Sequence, residues 1–304
     1  MNKKSKQLIL RITIFLLLAL SVTVYNRCGS KPEAPTETSA LKDILEVHFI
    51  DVGQGDSILI EENGGDMLID AGENSEGEVV LNYLKSENIT DLDYVIGTHP
   101  HSDHIGGMDT VLEAIPVEQV LLPKVDYDTK TYEDVLTVIQ EKNIKKTEVS
   151  AGDSFTLGAA SFTVLAPCSA EYEDLNNYSI CIRLTYGSNT FLFTGDAEAL
   201  SEKEMIESGV ELSADVLKIG HHGSAYSSCE DFLSAVSPVY GVISVGADNE
   251  YGHPDSSILQ AMLDHNIAIY RTDKQGTIQF TSDGQHISVS TQPYQPTQEE
   301  PAGN

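Results

Sequence analysis

Three histidines and an aspartate fall within one run of six residues, His-Pro-His-Ser-Asp-His at positions 99–104. Imidazole nitrogens and carboxylate oxygens are suitable ligands for Zn²⁺, and also for Mn²⁺ or iron. In an extended segment His99 and His101 point to the same side and can hold one ion. Asp103 and His104 turn into the following loop and can hold a second. The run therefore predicts a metal site, with a histidine-rich surface turn as the alternative.

The sequence on either side of this run predicts the elements that hold it. Residues 94–98 are apolar and rich in β-branched side chains, which indicates a strand that delivers the chain directly into the histidines. Gly106 and Gly107 follow the run, and their lack of a side chain allows the backbone to turn tightly beneath the metals. We therefore expect the ligands to lie at the end of a buried strand.

Two later strands are also predicted to end beside side chains that bind metals. Residues 191–194 predict a strand. Asp196 follows it after a glycine, so its carboxylate can project from a sheet edge into a cleft. The alternative is that Asp196 caps the helix predicted to follow it. Residues 216–219 predict a further strand, which ends at His221 and His222.

Strands open both halves of the sequence, and helical segments occur between them at intervals. This order predicts an α/β protein with two sheets packed face to face and helices on both outer sides, a four-layer αββα sandwich. The predicted organisation is a signal peptide or membrane anchor at residues 1–28, a polar linker at 29–43, one folded domain at 44–292 that carries the metal site, and a disordered tail at 293–304.

The charge distribution bears on location and partners. The chain has 18 Lys and Arg against 47 Asp and Glu, a formal net charge of −29. Five of the basic residues fall in residues 1–28, which hold no acid and include an apolar run, as in segments that export or anchor a protein. We expect an extracellular or cell-surface protein that contacts the membrane only through this segment. The acidic remainder repels long polyanions, which disfavours long nucleic acid as a partner.

The His-x-His-x-Asp-His run after a strand resembles the metal motif of the metallo-β-lactamase superfamily. The narrower resemblance is to the metallo-hydrolase domain attached to the DNA-uptake channel protein ComEC and to its free-standing relatives. Further motifs occur in that family's order and span residues 45–290: FIDVGQGD at 49–56, LIDAG at 68–72, FTGD at 193–196, GHHGS at 220–224 and YGHP at 251–254. The resemblance implies a sandwich of the metallo-β-lactamase type.

The resemblance implies a role for each residue of the metal motif. His99 and His101 are expected to hold metal 1, and Asp103 and His104 to hold metal 2. Asp196 stands where the superfamily places a carboxylate that bridges the two metals. The implied cofactor is Zn²⁺, with Mn²⁺ also suitable.

Two features of the pattern leave the metal count and one ligand open. His221 or His222 is expected to supply the last ligand to metal 2; we favour His221 as that ligand, with His222 nearer the substrate. Most members of the superfamily have a third histidine on metal 1, but no histidine lies between His104 and His221. The corresponding segment reads Asn-Asn-Tyr-Ser at 176–179, as in the ComEC-like branch. The sequence therefore predicts either one ion or two, with metal 1 weakly held.

Polar residues also lie in glycine-rich turns after the first and third predicted strands. They can orient the metal histidines, or they can serve only as turn formers. These residues are Asp51, Gln54, Asp56, Asp70 and Gly72.

The remaining histidines carry weaker signals. His253, just before Pro254, can reach a phosphate or an oxyanion of the substrate, or it can be merely solvated. His48, His265 and His286 belong to no motif, and we predict that they are structural.

These observations predict a metal-dependent hydrolase. A metal lowers the pKa of water near neutral pH, and Asp103 can orient that water or act as general base. The ComEC-like resemblance implies a phosphodiesterase or nuclease acting outside the membrane on a small or polymeric phosphodiester. One alternative is a hydrolase of a lactone, ester or lactam. The other is a metal-binding module without catalysis, against which the intact Asp103 argues.

Overall fold

The computed structural model of the protein describes residues 44–292. The predicted N-terminal segment at 1–28, the linker at 29–43 and the tail at 293–304 lie outside the described residues. Within 44–292, no helix is both long enough and apolar enough to cross a membrane.

The first sheet contains eight strands: β1 (Leu45–Phe49), β2 (Ile58–Glu62), β3 (Gly65–Ile69), β4 (Leu92–Ile96), β5 (Val117–Pro123), β6 (Lys145–Val149), β14 (Ile278–Ser282) and β15 (Ile287–Thr291). Their spatial order is β15-β14-β1-β2-β3-β4-β5-β6. Strands β3 to β6 are parallel, and the other neighbours pair antiparallel.

The second sheet contains seven strands: β7 (Ser154–Leu157), β8 (Ala160–Ala166), β9 (Cys181–Tyr186), β10 (Asn189–Phe193), β11 (Val216–Lys218), β12 (Tyr240–Ile243) and β13 (Ala268–Arg271). Their spatial order is β13-β12-β11-β10-β9-β8-β7, and β10 to β13 are parallel. Each sheet therefore has a parallel part, and loops at the carboxyl ends of parallel strands are the usual place for a site.

The helices are α1 (Gly77–Ser86), α2 (Ser102–Ile105), α3 (Met108–Ala114), α4 (Lys130–Glu141), α5 (Ala199–Ser208), α6 (Glu230–Val236), α7 (Ser256–Asp264) and α8 (Thr272–Gln275). Helices α1, α3 and α4 bury apolar residues against the first sheet, and α5, α6 and α7 do so against the second. A third apolar core fills the space between the sheets. The predicted α/β sandwich with two sheets inside and helices outside is confirmed.

The core between the sheets is aromatic close to the strand ends that carry the site. The Phe49 ring lies 6.1 Å from Phe193 and 6.0 Å from Phe280, centroid to centroid. All three side chains are at most 1% exposed. Burying each such side chain contributes about 1.5–3 kcal/mol. Because Phe49 and Phe193 belong to different sheets, this packing fixes the two sets of strand ends relative to each other.

Candidate metal centre

Four side chains from both sheets converge on one point. Asp103 and His104 follow β4 of the first sheet, and Asp196 and His222 follow β10 and β11 of the second. Each presents one ligand atom, and these atoms all lie within 4.8 Å of one another. His104 Nε2 lies 3.2 Å from Asp196 Oδ2, and His222 Nε2 lies 3.1 Å from Asp103 Oδ2. We call these four residues the inner cluster.

The two histidines of the inner cluster are held by their other ring nitrogens. His104 Nδ1 donates to Asp70 Oδ2 at 2.8 Å, and His222 Nδ1 donates to the carbonyl oxygen of Ser244 at 2.9 Å. Asp70 also accepts hydrogen bonds from the Thr98 backbone NH at 2.8 Å and from Thr98 Oγ1 at 2.7 Å. Both Nε2 atoms are therefore left facing the cluster. This is the arrangement that orients histidine ligands in metal sites.

The inner cluster fits a divalent cation. His104 Nε2 and Asp196 Oδ1 are buried and have no hydrogen-bond partner within residues 44–292. Burial lowers the pKa of His104, but the carboxylates of Asp196, Asp103 and Asp70 raise it by more, so the pKa lies well above 6.5. Burial likewise opposes the effect of Asp196 and Asp103 on His222, whose pKa rises to about 10. The carboxylates that stabilise protonated histidines here can stabilise a bound metal ion in the same way once those protons leave.

The structure brings His222, and not His221, into the inner cluster. His221 is 24% exposed, its Nδ1 lies 3.3 Å from Glu198 Oε1, and its Nε2 lies 3.8 Å from Asp196 Oδ2. Both residues adopt left-handed backbone conformations, with φ of 48° and 53°, between Gly220 and Gly223. Such a conformation costs about 1–2 kcal/mol in a non-glycine residue. The choice of His221 as ligand stays a prediction, but this placement favours exchanging the two roles.

His99 and His101, which we call the outer pair, lie beside the inner cluster. His99 Nε2 and His101 Nδ1 are 2.9 Å apart, so one ion can contact both rings. Behind the His99 ring, Nδ1 lies 3.1 Å from Thr98 Oγ1 and 3.4 Å from Ser179 Oγ. Burial, followed by repulsion from His104, holds the pKa of His99 well below 6.5, so its ring is neutral and can bind a metal.

A buried ion pair lies beneath the inner cluster. Lys218 Nζ is 2.7 Å from Asp56 Oδ2 and donates to the carbonyl oxygens of Gly195 and Ile219 at 3.2 and 3.0 Å. Burial lowers the pKa of Lys218, but Asp56, Asp196 and Asp70 together raise it by more, so the ammonium stays charged. Asp56 Oδ1 in turn lies 3.5 Å from His222 Nδ1. The pair therefore supports the backbone next to Asp196 and one ring of the cluster.

The polar turn residues divide between the two predicted roles. Asp70 contacts a metal histidine, and Asp56 lies close to His222. Asp51 accepts a hydrogen bond from the Gly53 backbone at 3.2 Å, which is turn chemistry. Gln54 does both, because its Oε1 accepts from the Gly246 backbone at 3.2 Å while its side chain lines the pocket.

Two local predictions can be compared directly with the backbone. Asp196 does not cap the helix that follows it, because Glu198 is the N-cap of α5. Gly106, predicted to allow a tight turn of the backbone, has an ordinary φ of −59°. A Cβ on Gly106 would instead collide with the backbone of Asn74 and Ser102. Glycine is needed there for the close approach of two backbone segments.

An open pocket of about 270 Å³ leads to the cluster. Its wall contains His253, whose ring lies 5.6 Å from that of His221 and 5.8 Å from that of Tyr251. Tyr251 is 72% exposed and stands at the rim. Burial, followed by repulsion from His221 and His222, lowers the pKa of His253, which favours a neutral ring.

Several residues of the centre were missed from the sequence. Lys218 interrupts the apolar strand Val216–Lys218 directly before the histidines, and a lysine in a buried strand was a usable signal. Thr98, Ser179 and the carbonyl of Ser244 carried no such signal, because hydroxyls and backbone groups occur everywhere in the sequence.

The chain is similar in sequence to a known protein family and to several known proteins. The family described as "Metallo-beta-lactamase superfamily" matches residues 50–247 of this chain. The ComE operon protein 3 of Bacillus subtilis is 34% identical over 253 residues, which are 77% of this chain and 33% of that protein. Recombination protein 2 of Haemophilus influenzae is 31% identical over 242 residues, 78% of this chain and 29% of that protein. The chain spans about a third of the length of these relatives.

Among solved structures, the metallo-beta-lactamase fold protein YhfI from Bacillus subtilis aligns with a TM-score of 0.54 and 14% identity. The alignment covers 81% of this chain and 100% of that protein. At this level of identity the likeness shows the fold alone.

Proposed function

The chain belongs to the metallo-β-lactamase superfamily, and from that premise we propose that it is a metal-dependent phosphodiesterase. The resemblance to ComEC-like proteins predicted from the sequence is confirmed by its curated relatives. Membership of the superfamily supports a hydrolase that binds divalent metal. The observation that carries the proposal is the convergence of Asp103, His104, Asp196 and His222 around one point.

We propose that His104, Asp196 and His222 hold one ion together with Asp103, and that the outer pair contacts a second. When bound, such ions make water nucleophilic near neutral pH and polarise the oxygen of the substrate under attack. Zn²⁺ suits this set of nitrogen and oxygen ligands, and Mn²⁺ is the alternative.

Asp103 is the residue best placed to handle the attacking water. Its side chain is 23% exposed at the pocket, whereas that of Asp196 is 2% exposed. Although burial raises the pKa of Asp103, His104 and His222 lower it by more, so the carboxylate is ionised at neutral pH. The carboxylate can therefore accept a hydrogen bond from the attacking water and orient a lone pair of the water oxygen towards the substrate. His253 faces the same space and is proposed to contact a substrate oxygen.

The pocket supports a small or zwitterionic phosphodiester as substrate. Its volume of about 270 Å³ lies at the small end of ligand pockets. Its lining, within the described residues, contains no Lys or Arg: Gln54, Glu73, His101, Ser102, Asp103, Asp196, His221, His222, Tyr251 and His253. A long polyanion needs cations along its path. We propose action outside the membrane, on free diesters or on diester links in surface polymers, with attachment through the N-terminal segment only.

The test uses the purified full chain. Bound metal is measured by elemental analysis, and turnover of bis(p-nitrophenyl) phosphate is followed with Zn²⁺ or Mn²⁺. We expect His222→Gln to lose metal and to lower turnover by at least about 10²-fold, because metal polarisation is worth several kcal/mol. His221→Gln is the matched control, one residue away in the same turn, and should keep its metal.

Two outcomes would contradict the proposal. If the wild-type protein binds its full complement of metal but cleaves no diester, the phosphodiesterase proposal is contradicted. The hydrolase of a lactone, ester or lactam and the metal-binding module without catalysis are then favoured. Loss of metal in His221→Gln, with metal retained in His222→Gln, would restore the ligand choice predicted from the sequence.

A further inference from the structure

A second group of metal-binding side chains lies on β1 and β2, apart from the inner cluster. Glu46, His48 and Glu61 each present one ligand atom, and these atoms all lie within 4.8 Å of one another. Val47 belongs to the core between the sheets. Because successive strand residues point to opposite faces, Glu46 and His48 face away from that core. The group therefore occupies the outer face of the first sheet.

The two carboxylates of this group stand directly opposite each other. Glu46 and Glu61 are partners in the antiparallel register of β1 and β2. Like charges in that position destabilise strand pairing. Glu46 Oε1 accepts a hydrogen bond from Gln279 Nε2 at 2.7 Å, and among the described residues neither carboxylate forms an ion pair with a Lys or Arg. A positive charge between them would relieve the repulsion.

His48 supplies the second, independent observation. It is 1% exposed, and its Nε2 lies 3.1 Å from Glu61 Oε1. Among the residues that the structure describes, neither of these two buried atoms has a hydrogen-bond partner. A buried ring nitrogen and a buried carboxylate oxygen thus face each other unsatisfied, which is costly without a ligand between them.

Tyr83 of α1 fixes the orientation of the His48 ring. Its hydroxyl lies 2.8 Å from His48 Nδ1. Burial, followed by the charges of Glu87, Glu61 and Glu46, raises the pKa of Tyr83 well above 10, so the phenol stays protonated. When Nδ1–H donates to the phenol oxygen, the lone pair of Nε2 points at the two carboxylates. A hydrogen bond at the far ring nitrogen is typical of histidines that bind metal.

We propose that Glu46, His48 and Glu61 form a second divalent-cation site, for Zn²⁺, on the outer face of the first sheet. One imidazole nitrogen and two carboxylate oxygens are a suitable ligand set, and the fourth position is open to water. The two carboxylates match the charge of the ion. An ion held there would tie β1 to β2, and its ligands are distinct from those of the inner cluster. His48, predicted to be structural from the sequence, takes this role as a ligand.

The test counts zinc in the full chain. Wild type, His48→Gln and Glu61→Gln are loaded with Zn²⁺, desalted and analysed for zinc per chain, and diester turnover is measured on the same samples. We expect each variant to lose one equivalent of zinc while turnover is unchanged. Tyr83→Phe should keep the ligands but weaken zinc binding about 10-fold in competition with a chromophoric chelator.

Glu87→Gln is the matched control, because it removes a nearby charge but no proposed ligand. It should bind as much zinc as wild type. Glu61 is partly exposed and Glu61→Gln is isosteric, so this variant keeps the test valid if His48→Gln does not fold. Equal zinc in wild type and Glu61→Gln would overturn the proposal. If the wild-type protein cleaves no diester but Glu61→Gln still loses one equivalent of zinc, the proposed phosphodiesterase is contradicted and this second zinc site is supported.

Discussion

The outer pair and half of the inner cluster come from the same run of sequence, 99–104, but the two regions are supported differently. In the inner cluster, His104 and His222 are each fixed by a hydrogen bond of 2.8 or 2.9 Å at the far ring nitrogen, and both sheets contribute ligands. In the outer pair, His99 has only hydroxyls behind it, Thr98 Oγ1 at 3.1 Å and Ser179 Oγ at 3.4 Å, and His101 is half-buried. The difference indicates that one part of the centre is organised before metal arrives and the other depends on it.

The two regions also differ in how they hold protons. Carboxylates raise the pKa of His104 and His222, whereas burial and a neighbouring histidine lower that of His99. The inner cluster therefore offers carboxylates to a cation, whereas the outer pair offers only imidazole nitrogens. Of two ions, we expect the inner one to bind more tightly.

The largest expected effect is a difference in turnover between two variants, one with a histidine replaced in the inner cluster and one with a histidine replaced in the outer pair. His104→Gln removes a ligand from the inner cluster, and we expect diester turnover to fall by at least about 10³-fold. His99→Gln, a change at an equally buried ring, should cost at most about 10²-fold, because the inner ion remains. Steady-state kinetics at saturating metal measure both. Equal losses would show that the two regions act as one unit.

The pH dependence of metal binding should differ between the regions. Binding at the inner cluster displaces protons from His104, whose pKa lies well above 6.5, and from His222, whose pKa is about 10. The affinity for Zn²⁺ should therefore rise with pH below 10, by up to about 100-fold per unit when two protons leave. Calorimetry in buffers of different ionisation enthalpy counts these protons. An affinity independent of pH between 6 and 8 would contradict this assignment.

The hydrogen bond behind His104 provides a smaller test. Asp70→Asn keeps the size of the side chain and tolerates its left-handed backbone, φ 59°, but removes the charge. We expect the affinity of the inner cluster for Zn²⁺ to fall about 10–100-fold. Asp126→Asn, on the exposed surface, is the control. An unchanged affinity would mean that Asp70 supports the fold rather than the metal.

The smallest effect is expected at the residue that the two regions share. Thr98 Oγ1 lies 2.7 Å from Asp70 Oδ2 and 3.1 Å from His99 Nδ1. Thr98→Val keeps the shape and removes the hydroxyl, at a cost of about 1 kcal/mol or roughly 5-fold in turnover. Zinc bound per chain should stay the same. A loss of one equivalent would show that the hydroxyl is required to retain the outer ion.

Much of the fold was predictable because it rests on local apolar patterns. The strands before the histidines, before Asp196 and before the Gly220–Gly223 turn all lie where the sequence predicts them. Strand β6 was missed because only Val149 of its five residues is buried, and its pairing with β5 supplies what its pattern lacks.

The site was less predictable where tertiary contacts decide it. Nothing in two adjacent histidines tells which ring turns inward, because the choice depends on φ angles and on the carbonyl of Ser244, just after β12. His48 is similar, since its contact with Glu61, the strand partner of Glu46, follows from strand register rather than from any motif.

Because the two sheets each supply part of the metal ligands, the chain can be divided into two fragments that each carry some of them. The exposed loop at 150–153 separates a first piece that carries His99 to His104 from a second that carries Asp196 and His222. The second piece also carries β14, which pairs with β1 of the first. Two fragments split at this loop would therefore reassemble as a complementing pair whose association is controlled by zinc. The same fold could thus serve as a split reporter of free metal.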